Sequence, residues 1–206
     1  MLRKILIGAA ATLLAPAAAF AQDAPAVEVF GGYAHTRSGG EGLNGWDAAV
    51  AYNFNDWFGV KANVSGGYGS ETVEFPGSGP EFPVPATPSF IADTDVSQHN
   101  FLFGPQFTAR GDRVSGFVHT LVGASRESVD GTTFFAPVPG FPDQPPLVFE
   151  FTDTNFAADV GAGVDLKVTD SVSWRVLQAD WIPVSRFANE WQHNVRFSTG
   201  IVLTFE

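Results

Sequence analysis

The chain has 206 residues, with 11 Lys and Arg against 22 Asp and Glu, a formal net charge of −11 and no cysteine. An acidic balance leaves little to neutralise phosphates, which argues against nucleic-acid binding. Without cysteine there is no disulfide staple, no thiolate chemistry and no zinc–cysteine site.

Residues 1–21 read as a signal peptide. Arg3 and Lys4 start it, Ile5 to Ala15 supply an apolar run, and Pro16 breaks that run. Ala19-Phe20-Ala21 fits a small-x-small cleavage rule, with the cut before Gln22. Its removal takes the formal charge to −13 and leaves one expected domain, 22–206. That domain has no run of about 18 apolar residues, so no membrane helix is expected.

Alternation with period two then predicts eight strands. The first covers about Val27–His35, with Val29 and Tyr33 on one face and Glu28 and Phe30 on the other. In the second, Leu43–Phe54, Trp46, Val50 and Tyr52 oppose Asp47, Ala49 and Asn53. Asn53-Phe54-Asn55-Asp56 has the composition of a tight turn. The third, Trp57–Tyr68, sets Val60 and Val64 against Lys61, Asn63 and Ser65. The fourth, Gln98–Arg110, sets Phe101, Phe103 and Phe107 against Asn100, Gln106, Thr108 and Arg110, and Pro105 predicts a bulge. The fifth, Val114–Arg126, places His119 opposite Val118, Thr120 and Val122. The sixth, Asn155–Val168, alternates Val160 and Val164 with Asp159 and Asp165. The seventh, Val172–Val184, starts with Trp174 out and Arg175 in, and loses its alternation near Leu177-Gln178, which predicts a second bulge. The last, Gln192–Glu206, sets Val195, Phe197, Ile201, Leu203 and Phe205 against Asn194, Arg196, Ser198 and Thr204.

Connections after strands two, four and six are short. Those after one, three, five and seven are longer: Thr36–Gly42, Gly69–Val96, Glu127–Thr154 and Ser185–Gln192. Short turns on one side and long loops on the other, with aromatic residues near the strand ends, mark an eight-stranded antiparallel up-and-down transmembrane β-barrel, apolar side outward. Only helices and closed barrels satisfy every backbone hydrogen bond in lipid. A soluble barrel of the lipocalin kind has the same alternation with its faces exchanged, but the polar set is too rich in charge for an apolar ligand cavity.

The segments Glu28-Val-Phe-Gly-Gly-Tyr33, Asn44-Gly-Trp46, Asn55-Asp-Trp-Phe-Gly-Val60, Phe101-Leu-Phe-Gly-Pro-Gln106 and Arg196-Phe-Ser-Thr-Gly-Ile201 resemble the small outer-membrane barrels of the OmpA and OmpX type. The resemblance implies residence in the outer membrane, contact with its lipid, and insertion by the barrel-assembly machinery, which reads the last strand. An aromatic usually ends that strand, whereas here Glu206 follows Phe205.

An eight-stranded barrel is just wide enough for its side chains to fill. Lys61, Arg110, Arg175 and Arg196 are therefore expected to pair with Glu28, Asp47, Asp159 and Asp165 across the lumen. The functional expectation is a structural or surface-interaction protein, with a narrow channel as the alternative and a lipid-modifying enzyme as the remote one. His35, His99, His119 and His193 are tied to no nucleophile by any motif, and none has a metal-ligand spacing, so no catalytic residue, metal or cofactor is expected. Acidic residues (Glu71, Glu74, Glu81, Asp93, Asp95, Asp130, Asp143, Glu150, Asp153) and prolines with Phe75, Phe82, Phe134, Phe135 and Phe141 mark Gly69–Val96 and Glu127–Thr154 as the segments for a surface partner.

Overall fold

Eight strands, each hydrogen-bonded to its sequence neighbours and the last to the first, close into one barrel: β1 (Val27–Ser38), β2 (Glu41–Asn53), β3 (Phe58–Phe75), β4 (Phe90–Arg110), β5 (Val114–Phe135), β6 (Leu147–Lys167), β7 (Val172–Ser185) and β8 (Trp191–Phe205). This is a computed structural model, and it describes residues 25–75, 90–135, 145–186 and 190–205. The expected signal peptide and most of the two Pro-rich runs lie outside the described residues, as do Glu81, Phe82, Phe141, Asp143 and Glu206. Every strand pair is antiparallel, and β1 closes on β8 from Val27↔Phe205 to Arg37↔Val195.

The apolar set of each strand faces outward and the polar set inward, the reverse of a soluble protein. Phe103, Val122, Val160 and Ile201 are exposed, whereas Asp47, Lys61, Asp159 and Arg196 are buried. Outward aromatics gather at both ends. Trp57 stacks on Phe107, and Phe58 contacts Phe54 and Phe107, at the short-turn end. Trp181 stacks on His193 and Phe156 meets Trp191 edge-on at the other. Rings with an apolar body and a polar tip suit the two water–lipid boundaries. Val122, outward on β5 opposite Phe103 and Ala158, lies between these belts. Val122→Arg should therefore cost about 2–4 kcal/mol in urea unfolding from lipid vesicles. An unchanged midpoint would contradict the lipid-facing assignment.

The turns follow local chemistry. Asn55 Oδ1 accepts hydrogen bonds from the Trp57 and Phe58 backbone amides at 3.0 and 2.8 Å, fixing the β2–β3 turn. The first long loop is not a loop. β1 and β2 run on to Ser38 and Glu41, joined by Gly39 and Gly40 at φ of 60° and 103°, values glycine adopts without a Cβ penalty.

Two bulges were expected, and one forms. Asp165 pairs with Arg175 but Val164 pairs with Leu177, and on the other side Arg175 pairs with Gly200 while Gln178 pairs with Ser198. One extra residue at Val176–Leu177 thus exchanges the faces of the rest of β7. Pro105 makes no bulge: Phe103↔Val122 and Gln106↔His119 keep one register across it. Its fixed φ is compatible with a strand, so it omits local pairing to β5 without inserting a residue.

The largest departure is length. β3 to β6 continue well into Gly69–Val96 and Glu127–Thr154. Pairing runs to Phe75↔Phe90, Phe90↔Phe135 and Thr133↔Leu147, whereas β2 leaves β3 at Tyr68 and β7 leaves β6 at Ala157. A four-stranded sheet therefore stands about seven residues, roughly 23 Å along the strand, beyond its neighbours. Phe75, Phe90 and Phe135 form an aromatic row near its tip, with ring centroids 4.4 and 6.2 Å apart.

Candidate functional site in the barrel lumen

Inward alternation on all eight strands builds a column of side chains. At the short-turn mouth lies a cavity of about 720 Å³ lined in part by Glu28, Arg110, Asp165 and Lys167. Arg110 bridges Glu28 there and also reaches the Asp56 carbonyl. Lys167 turns to its own hairpin and pairs with Asp170 at 2.9 Å, rather than joining the inner network. The Lys167 hydrogen bond and charge hold the Asp170 carboxyl below its ordinary range.

The cavity ends on a cation sandwich. The Arg175 guanidinium lies 4.3 Å from the Phe30 ring centre and 4.2 Å from that of Phe117. Its edge donates to both Asp165 oxygens at 2.8 and 2.9 Å and to Gln178 Oε1 at 2.8 Å. Phe30, Ala49 and Val202 pack as one apolar layer at this level. Gln178 then links two zones: its amide nitrogen donates to Asp180 Oδ2 at 2.8 Å and to Asp47 Oδ2 at 3.4 Å.

Above it sits the hub. Arg196 is fully buried and meets three carboxylates: Asp180 at 2.7 Å, Asp159 at 3.4 Å and Asp47 at 3.7 Å. It also donates to Ser65 Oγ at 2.6 Å and Asn63 Oδ1 at 3.2 Å. Asp47 accepts from Asn63 and from Ser198 Oγ. His119 Nε2 lies 3.3 Å from Asp180 Oδ1 and 3.5 Å from Asp159 Oδ1. A second apolar layer, Leu102, Leu121, Ala157, Ile182 and Val184, closes the column on the far side.

The eight residues singled out in the sequence all line this interior, but their pairing differs in one respect. Lys61 meets no carboxylate among the described residues. Its ammonium stands 3.4 Å from Gln178 Oε1 and from His119 Nδ1, and 5.0 Å from the Phe117 ring centre. The network also holds a carboxylate that sequence reasoning missed, Asp180, which meets Arg196 and His119. Asp180 has the outward parity of Trp174 until the bulge is counted; past Val176 the even positions turn inward, so the break at Leu177-Gln178 was the available signal.

The chain matches the family described as outer membrane protein beta-barrel domain over residues 7–181, and it belongs to that family of small outer-membrane barrels. Its place is therefore the cell outer membrane. Among solved structures it is similar to Ail, the attachment invasion locus protein of Yersinia pestis, crystallised with the heparin analogue sucrose octasulfate (14% identity, 88% of this chain and 99% of that one, TM-score 0.47). It is also similar to Neisserial surface protein A (16%, 87% and 96%, 0.46) and to the N-terminal barrel domain of Pseudomonas aeruginosa OprF (12%, 88% and 100%, 0.37). No curated protein matches it in sequence.

Proposed function

We propose that this barrel is a surface-interaction protein whose working part is the protruding β3–β6 sheet and whose lumen is a structural plug. One observation carries the reading: the sheet ends in unpaired edges and is predominantly acidic. Residues 69–75 of β3 have no β2 partner, and 147–156 of β6 have no β7 partner. An unpaired edge offers backbone donors and acceptors to an extended segment of another chain. Over 69–75, 90–97, 124–135 and 147–156 there are eight carboxylates (Glu71, Glu74, Asp93, Asp95, Glu127, Asp130, Glu150, Asp153) against one cation, Arg126. Val148, Phe149 and Phe151 are exposed beside them. This chemistry fits an extended, basic and partly apolar segment of a protein partner. A polyanion of the kind bound to Ail does not fit it.

The burial of the lumen supports the plug: Arg196, Asp159 and Gln178 are fully buried between two apolar layers.

The test uses the barrel in nanodiscs against a Lys/Arg-rich peptide of extended conformation, beside planar-bilayer recordings. Retention should fall with salt and disappear when 70–95 and 129–153 are each replaced by a short turn, while the heat-modifiable band remains. Retention unaffected by that trimming, or a steady single-channel conductance, would instead favour the channel.

A further inference from the structure

His119, Asp159 and Asp180 come from β5, β6 and β7, and each is buried. The two carboxylates divide their oxygens. Oδ2 of each faces Arg196, whereas Oδ1 of each faces His119 Nε2. Those three atoms, Asp159 Oδ1, Asp180 Oδ1 and His119 Nε2, are fully buried and make no hydrogen bond of proper geometry. Both carboxylate atoms approach His119 Nε2, and the three residues can each bring a ligand atom within 4.8 Å of the others. Buried polar atoms without partners are costly, and three aimed at one point describe an unfilled need for a cation.

Charge points the same way. The three carboxylates Asp47, Asp159 and Asp180 outnumber the two cations Arg196 and Lys61 by one, while Asp165 is matched by Arg175. The excess lies where the unpartnered atoms meet.

Two of the three ligand separations suit a metal. Bonds of about 2.0–2.1 Å in a tetrahedral site put ligand atoms about 3.3–3.5 Å apart, and the two His119 separations are 3.3 and 3.5 Å. Gly161, opposite His119 in the β5–β6 register, leaves the position open. A Cβ there would stand 2.1 Å from Asp180 Oδ1 and 2.6 Å from His119 Nε2, close to where a bound ion would sit.

We propose that His119 Nε2, Asp159 Oδ1 and Asp180 Oδ1 form a site for a divalent transition metal of the zinc class, held in the lumen. Imidazole with two carboxylates suits Zn²⁺ and its neighbours rather than Ca²⁺, which takes six or more oxygens. Apolar layers close the column on both sides, so the ion enters as the barrel folds. Acidic residues of the outer sheet are exposed and release metal to a chelator, which makes retention the discriminating property.

The mature chain is refolded into detergent with Zn²⁺ or Co²⁺, washed with EDTA, and analysed for metal content, Co²⁺ visible spectrum and the heat-modifiable band. The expected result is roughly one retained ion per chain, an intense tetrahedral Co²⁺ spectrum, and a raised melting temperature. His119→Gln should lower retention at least about tenfold, and so should Gly161→Ala, which keeps all three ligand residues but crowds the position between them. The cobalt spectrum needs no variant, so a variant that misfolds does not leave the proposal untested. Loss of all metal to EDTA would overturn it. Equal retention by the two folded variants, or an octahedral spectrum, would overturn it too.

Discussion

Arg196→Met should destabilise the barrel by about 3–5 kcal/mol, read as a lower urea midpoint in lipid vesicles. The reason is asymmetry. Arg196 is fully buried and is the cation common to Asp47, Asp159 and Asp180. Methionine fills much of the volume, so the loss is chiefly electrostatic: three carboxylates remain in the interior, where Lys61 reaches none of them and Arg175 is engaged with Asp165. Replacing the pair, Arg196→Met with Asp180→Asn, should recover part of the loss because it removes a charge that the single substitution strands. A double variant as unstable as the sum of the two singles would show that Arg196 and Asp180 act independently, contrary to their 2.7 Å contact.

Deletion of Ala179 should abolish folding, seen as absence of the heat-modifiable band after refolding, whereas deletion of Val176 should leave that band. In the barrel Leu177 faces lipid and Gln178, Asp180, Ile182 and Val184 face the lumen. Val176 is the extra residue of the bulge: without it Arg175, Leu177 and Gln178 follow plain alternation, and their pairing to β6 and β8 closes without a gap. Ala179 lies in the regular part, where a one-residue shift reverses the side chains beyond it. Asp180 would then meet lipid and Trp181 the lumen, or the bulge is used up and Gln178 meets lipid while Leu177 meets the hub. Loss of the Arg196–Asp180 pair alone is worth about 3–5 kcal/mol, and exposing a carboxylate or an amide to hydrocarbon adds to it. If the Ala179 deletion folded normally, residue count would not be what sets the faces of β7.

Much of this molecule is legible in its amino-acid order. Strand facing follows from a period of two, because only one register puts Trp46, Val60, Phe103, Val160 and Ile201 on one side and Asp47, Lys61, Gln106, Asp159 and Arg196 on the other. The Asn55 turn and the bulge before Gln178 are equally local: one is a side chain bonding its own backbone, the other a break in alternation. The eight inward charged residues are readable for the same reason.

What the chain order could not supply is distance across the lumen. Lys61 and Asp180 are far apart in sequence, and the closed barrel decides that Arg196 rather than Lys61 takes that carboxylate. It likewise decides that His119 stands between Asp159 and Asp180, on three neighbouring strands with no shared motif. The height of the outer sheet was hidden differently. Residues 69–75 and 147–156 are acidic, Thr-rich and Phe-rich, without a clean apolar face, because both of their faces are outside the membrane. Pattern reading depends on a contrast between lipid and interior. Beyond the membrane that contrast ends, and pairing between neighbouring strands alone makes these segments strands.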